Sequence, residues 1–206
     1  MQMIVRILHA GRTSARDFLA DSRALAATEF AMIVPLMLVM FFGTVEVSTA
    51  VAIDRKVTLI ARTLSDLTSQ SSGAATDTSL QNTFTASISI VTPYDASNTV
   101  GTISEIYIDA NSIATVQWSK SATVASSSAT QATLTTSLRK AGDKITSSIP
   151  SALLVPSTYL ILSEVSYTYK PTLYYVLKSN LVLSDVSYTR PRQVTCIAYN
   201  NVPASC

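Results

Sequence analysis

The sequence predicts an α+β protein in which a long N-terminal transmembrane helix extends into a small domain with an antiparallel sheet of about four strands. Three observations lead there. Between Ala24 and Val45 the only ionisable residue is Glu29. Apolar residues then recur at alternating spacings of three and four as far as Leu67. The C-terminal half is rich in Ser, Thr, Val, Ile and Tyr, arranged in short runs broken by Pro and polar pairs, a composition that favours strands.

The apolar run comes first. The 22 residues from Ala24 to Val45 would span about 33 Å as a helix, close to the ~30 Å hydrocarbon core of a bilayer. Pro35 lies inside the run, where it removes one helical hydrogen bond, a loss that membrane helices tolerate. A cleaved secretory signal would have a shorter apolar stretch followed by a small-residue cleavage site and a turn. Here the helical pattern continues without a break, so the segment is expected to be retained. Arg6, Arg12, Arg16 and Arg23 precede the run against Asp17 and Asp21. This arginine excess places the N-terminal end in the cytoplasm and the C-terminal part outside.

Past the membrane, Ala50, Ile53, Val57, Ile60, Leu64 and Leu67 form an a/d stripe, with Asp54, Arg55, Lys56 and Arg62 off the seam. Traced backwards, the same seam passes Glu46, Gly43, Val39 and Leu36. Ser69 to Gly73 supplies a stop. One helix is therefore expected from about Ser22 to about Gln70. Its outer stripe packs on the chain's own domain, on other subunits, or on both. The resulting division is a basic tail over 1–23, a membrane segment over 24–45, a helical extension over 46–72 and an outer domain over 73–206.

In that outer domain a second helix is expected from about Thr78 to Val91, with Leu80, Phe84 and Ile88 on one face. TISEIYIDA and SIATVQWSK read as a hairpin turning at Asn111-Ser112. SATVASSSATQAT reads as a loop, and LTTSLRKAGDKI as a short helix or, given Gly142-Asp143, a turn. STYLILSEVSYTY and NLVLSDVSYTR are strands ended by Pro171 and Pro191. They share the phrase S-[ED]-V-S-Y-T, which reads as a minimal repeat or, more simply, as shared strand chemistry. PTLYYVLKS between them is a crossover or a short helix. The sheet's apolar face is expected to cover the outer half of the long helix.

Composition excludes several functions. A formal charge of +2, with no basic cluster interleaved with aromatics, argues against nucleic acid. The only histidine, His9, lies in the tail, and two cysteines are too few for a zinc site, so no metal or cofactor is expected. The carboxylates Asp95, Glu105, Asp109, Asp143, Glu164 and Asp185 are scattered, and no serine stands in a G-x-S-x-G motif. An enzyme is not expected. Cys196 and Cys206 have nine residues between them, a loop that either closes as a disulfide in an oxidising compartment or leaves two small unpaired residues on a tail.

The stretch ATEFAMIVPLMLVMFFGTVEV, with Ala24, Glu29, Phe30, Pro35, Gly43 and Glu46, resembles the N-terminal signature of the TadE-like family. These are minor pseudopilins of the tight-adherence (Tad/Flp) pilus machinery of bacteria. SEVSYTYKP, SYTRPRQ and VQWSK loosely resemble the outer region of that family. The resemblance implies a pilin-like outer domain and a non-catalytic structural role in the inner membrane, with the domain in the periplasm. It implies as partners the lipid bilayer, other pilins or pseudopilins, the inner-membrane assembly platform and a prepilin peptidase. That peptidase would cut between Ala24 and Leu25, although the family usually carries Gly where this chain has Ala24. The cut would create an α-ammonium one turn before Glu29, and the resemblance implies that this carboxylate sets axial register by meeting the ammonium of a neighbouring subunit. On physics alone Glu29 equally sits at headgroup level and reaches toward Arg23. Two other readings stand beside this one. A minor pseudopilin of a type II secretion system shares the glutamate but usually carries Phe or Met after its cut, where this chain has Leu25. The other is a single-pass anchored sensory or binding domain.

Overall fold

A computed structural model describes residues 22–171 and 179–203. Helix α1, Ser22–Ser69, is 48 residues long and carries Pro35 in its interior. At ~1.5 Å per residue it extends about 72 Å. Its burial changes along its length. From Leu25 to Phe42 nearly every residue is exposed, including Phe30, Met32, Leu36 and Met37. From Ala50 onward a stripe is buried, with Ile53, Val57, Ile60, Ala61 and Leu64 all but inaccessible.

The expected seam needs one correction at its end. Leu67 is 36% exposed, and the last turns bury Ser65, Thr68 and Ser69 instead. A straight α-helix drifts by ~20° per heptad from a strict 3.5-residue repeat. By the third heptad the a/d stripe has rotated off the packed face. The residues that take its place are small and polar because their hydroxyls are satisfied. Thr68 donates to Leu64 O (2.8 Å) and Ser69 to Asp66 O (2.7 Å). Ser65 bonds the Ser187 hydroxyl at 2.9 Å. The earlier part of the same seam differs too: Leu36 and Val39 are exposed, whereas Glu46 is buried.

After the helix come β1 (Ala74–Ala75), α2 (Asp77–Ile88), β2 (Thr99–Ile108), β3 (Ala114–Thr123), β4 (Thr133–Thr135), β5 (Thr158–Tyr169), β6 (Leu181–Thr189) and β7 (Ala198–Tyr199). α2 starts at a capping box. Ser79 N–H donates to Thr76 Oγ1 (3.1 Å) and Thr76 N–H to Ser79 Oγ (2.9 Å), which satisfies two orphan donors of the first turn. The expected helix to Val91 ends in a 3-10 turn, Ser89–Val91.

Strands β4-β3-β2-β5-β6 form one antiparallel sheet in that order, and β1 pairs with β7 in a separate parallel pair. The sheet thus has five strands where about four were expected. The extra one, β4, is only three residues long and lies in a Ser/Thr-rich tract with no alternation to mark it. The two S-[ED]-V-S-Y-T phrases pair with each other in antiparallel register. Ser163 faces Ser187, Glu164 faces Val186 and Ser166 faces Ser184. LTTSLRKAGDKI is not helical. Gly142 adopts φ +92° and Leu138 is fully exposed, while Gly142 N–H and Val116 N–H bond Val116 O and Asp143 O to tie the turn to β3. Most of PTLYYVLKS lies outside the described residues.

One sheet face packs on α1 and α2. A Cβ at Gly101 would meet the Phe84 ring at 3.1 Å and Leu64 at 3.5 Å, so glycine on β2 allows the close approach of both helices. Thr189 Oγ1 donates to Ser65 O at 3.1 Å, fixing β6 to the last turns of α1. The opposite face carries a second cluster at one end. There Ile106, Ile108, Ala114, Val116, Leu160 and Leu162 are covered by Ile145 and Ile149 of the β4–β5 connection. β6 is the last strand in the order, and its Val186 N–H donates to the carboxylate of Asp185 at 2.7 Å.

These contacts fix what truncation of the helix stripe should cost. Leu64→Ala is expected to destabilise the folded chain by about 2–5 kcal/mol, and Leu67→Ala by no more than ~0.5–1 kcal/mol. Denaturant unfolding of the detergent-solubilised chain, followed by near-ultraviolet circular dichroism, measures both. Equal costs would contradict the rotated seam.

Candidate assembly helix and the buried carboxylate of the outer unit

Leu25, Glu29 and Phe30 stand in the first turns of α1, and all three are exposed. Ala24 belongs to the same first turn. Residues four apart on a helix share a face, so Leu25 and Glu29 lie one above the other. Thr28 Oγ1 donates back to Leu25 O at 2.8 Å, and Thr44 Oγ1 to Met40 O at 2.8 Å. Each hydroxyl in this apolar stretch is thus satisfied within the helix, as lipid requires. Among the described residues, α1 is the one helix long and apolar enough to cross a membrane. An apolar surface on every side of a helix leaves it no soluble face, which fits a bilayer as its surroundings.

The outer half of α1 is fastened by polar contacts at several points. Lys56 Nζ donates to Ile90 O (2.8 Å) and Thr92 O (2.7 Å), closing the turn that follows α2. Arg192 pairs with Asp66, and its backbone N–H donates to Ser69 O at 2.9 Å. On the open end of the outer sheet face, Arg139 grips Glu164 with two nitrogens, Nη2 to Oε1 at 2.6 Å and Nε to Oε2. The Glu164 carboxylate raises the guanidinium pKa above its ordinary value. Leu138, Val100, Thr102, Ser121 and Val186 line an open groove beside this pair.

Sequence reasoning did not single out Glu105, yet it is the most unusual ionisable group of the outer unit. It is fully buried on β2. The β2–β3 register shifts between Glu105 and Ile106, so Gln117 is left without a partner and Trp118 comes opposite Glu105. Trp118 Nε1–H donates to Glu105 Oε2 at 3.0 Å and to Ile197 O at 2.6 Å. Ile197 N–H donates to Glu105 Oε1. Burial raises the carboxyl to about 7, against the lowering effect of the Ile197 and Trp118 donors. The signal was present in TISEIYIDA: Glu105 shares the parity of Ile103, which is buried, and so points inward.

Cys196 is buried and disulfide-bonded. Cys206 lies outside the described residues, as do the tail with His9 and the end of the chain. Among the described residues no group of three His, Cys, Asp or Glu side chains is arranged to hold a metal.

If α1 lies in lipid through its first half, a charge at its middle must be costly. Met37→Arg is expected to make apparent insertion free energy less favourable by about 2.5–3.5 kcal/mol. A translocon insertion assay on the isolated segment reads this directly, and an unchanged value would place the stretch outside a bilayer.

Comparison with known proteins gives one match. Residues 25–63 fit the model of a family described as TadE-like protein. No curated protein and no solved structure matches the chain. The matched stretch starts at Leu25 and takes in Glu29-Phe30, Pro35, Gly43 and Glu46, together with the first turns of the buried stripe. Along α1, and there alone, the chain is similar to the TadE-like proteins.

Proposed function

We propose that the chain is a minor pseudopilin-like structural and assembly component of a Tad/Flp-type pilus, acting at initiation, priming, or the tip or base of the fibre. Residues 1–23 form a cytoplasmic tail, 24–45 the membrane segment, 46–72 a periplasmic extension of the helix and 73–206 the outer domain. The observation that carries this reading is the pairing of an exposed apolar helix with Glu29 one turn after Leu25, inside the stretch that matches the TadE-like family. An ionised carboxylate in lipid costs several kcal/mol unless it is paired. A free amine at Leu25, created by a prepilin peptidase cutting after Ala24, supplies the partner from a neighbouring subunit and fixes the step between subunits. The work is non-catalytic. The exposed helix packs on lipid and on other pilins, and the outer domain presents its surface to the assembly platform. A periplasmic setting also suits a bond between Cys196 and Cys206.

Intact-mass and N-terminal peptide analysis of the membrane-extracted protein, from cells carrying the peptidase, is expected to find Leu25 as the mature N-terminus. An N-terminus upstream of Ala24 would favour a plain single-pass anchor. Glu29→Ala is expected to keep membrane insertion and to lower recovery in sheared pili, or in the cross-linked assembly complex, by tenfold or more. That is about 1.4 kcal/mol at the subunit contact, and recovery equal to wild type would remove the register role.

A further inference from the structure

The outer half of α1 has a second surface, on the side away from its buried stripe. Val47, Val51, Arg55 and Leu59 follow one another at four-residue spacing, so they share one face of the helix. Val51 is 47% and Leu59 50% exposed, while Ile53, Val57 and Ile60 are all but inaccessible. Asp54, Arg55 and Arg62 are exposed as well.

The charges of this half fall into two groups. Lys56 donates to Ile90 O and Thr92 O, and Asp66 accepts from Arg192 and from the Gln70 amide. Asp54, Arg55 and Arg62 enter no ion pair among the described residues. One acid and two bases thus stand unpaired beside two apolar side chains. A single exposed Val or Leu is ordinary. Their spacing is what sets these apart. Leu59 lies eight residues after Val51, and Arg62 eight residues after Asp54. At 3.6 residues per turn that is two turns and about 80°, with a rise of about 12 Å. An apolar-and-acidic patch, Val51 with Asp54, is therefore matched by an apolar-and-basic patch, Leu59 with Arg62, further along the helix and partly around it.

We propose that the outer half of α1 is a self-complementary docking surface. A second copy of this chain lies on it parallel and displaced by eight residues, with Val51 of one copy against Leu59 of the next and Asp54 against Arg62. Charge decides against copies at equal height. They would set Arg55 against Arg55 and Arg62 against Arg62, like charges that repel. Displaced by eight, Arg55 meets Val47 of one neighbour and Thr63 of the other, and no like charges face each other. The contact is heterologous, since the patch offered differs from the patch received, and each copy keeps one of the two for a further copy. A displacement along the helix axis cannot close a ring, so the contact propagates as an open stack with a step of about 12 Å. The proposal rests on the membrane reading above, because a shared bilayer is what holds the copies parallel.

The test is cysteine cross-linking of the full chain in membranes. Two copies are expressed together, one with Val51→Cys and a tagged one with Leu59→Cys. Linked peptides are identified by mass spectrometry, so that bonds to Cys196 or Cys206 are told apart. The mixed pair is expected to link about fivefold more than either variant with itself. Adding Asp54→Arg to the first copy should lower the mixed yield by about threefold, and adding Arg62→Asp to the second should restore it. Each changed residue is exposed, so the effect on folding is small. Self-linking at 51 or 59 equal to the mixed yield, or a mixed yield that ignores the charge reversals, would overturn the displaced contact. A link between Asp54→Cys and Arg62→Cys without one between Val51→Cys and Leu59→Cys marks antiparallel helices. That outcome overturns the proposal together with the shared bilayer on which it rests. No link of any pairing, in membranes where Leu25 is the mature N-terminus, overturns self-docking alone and leaves the pilus reading standing.

Discussion

The constraint on which the molecule depends is that one helix carries two kinds of surface, exposed and apolar on all sides through its first half and buried along one stripe through its second. An α-helix satisfies its own backbone, so it alone among open structures can pass through hydrocarbon without stranded N–H and C=O groups. The first half of α1 uses this property fully: apolar on all sides, hydroxyls turned back onto carbonyls, one proline within. The second half meets the opposite demand. In water it must bury its apolar stripe, and the sheet supplies the cover. The remaining architecture follows from that need. Gly101 admits the helix, Ser65 and Thr189 join it to β6, and Lys56 clasps the turn beyond α2.

Covering a helix with a sheet leaves the sheet's other face to be dealt with. Here it is divided. At one end the β4–β5 connection folds over Ile106, Ile108 and Leu160 to make a second core. At the other, hydroxyl pairs run across the strands, Thr102 to Ser121 and Ser104 to Ser119, each at 2.7 Å. Those pairs let Ser and Thr occupy a half-covered surface without unmet hydrogen bonds. The Arg139–Glu164 pair adds a charged border to the groove there. It is about one quarter to one third exposed, so its contribution to stability is modest while its effect on the shape of the surface is direct.

Much of this was legible in the sequence because the strongest signals were periodic. The helix, the hairpin and the two late strands each announced themselves by a repeat of 3.6 or 2 residues. Leu67 was misplaced because a 3.5-residue stripe and a straight helix part company over three heptads. β4 was missed because three residues carry no period. Leu25, Glu29 and Phe30 were legible only as a pattern resembling a family; the structure adds that all three are exposed on the first turns of α1. Glu105 was passed over because it was weighed as one of several scattered carboxylates and not by its position in its strand. Its environment depends on Ile197, 92 residues away, and no local window contains both. Long-range contacts of this kind define the most unusual groups and are the least visible in one dimension.

The edge of the sheet carries a quieter consequence. A terminal strand offers a row of free backbone groups on which another strand can build. On β6 one of those donors, the Val186 N–H, is already spent on the carboxylate of Asp185, the residue just before it. A foreign strand arriving there would meet a negative charge and a missing rung. One aspartate, set beside the amide it occupies, makes this edge a poor template for extension of the sheet.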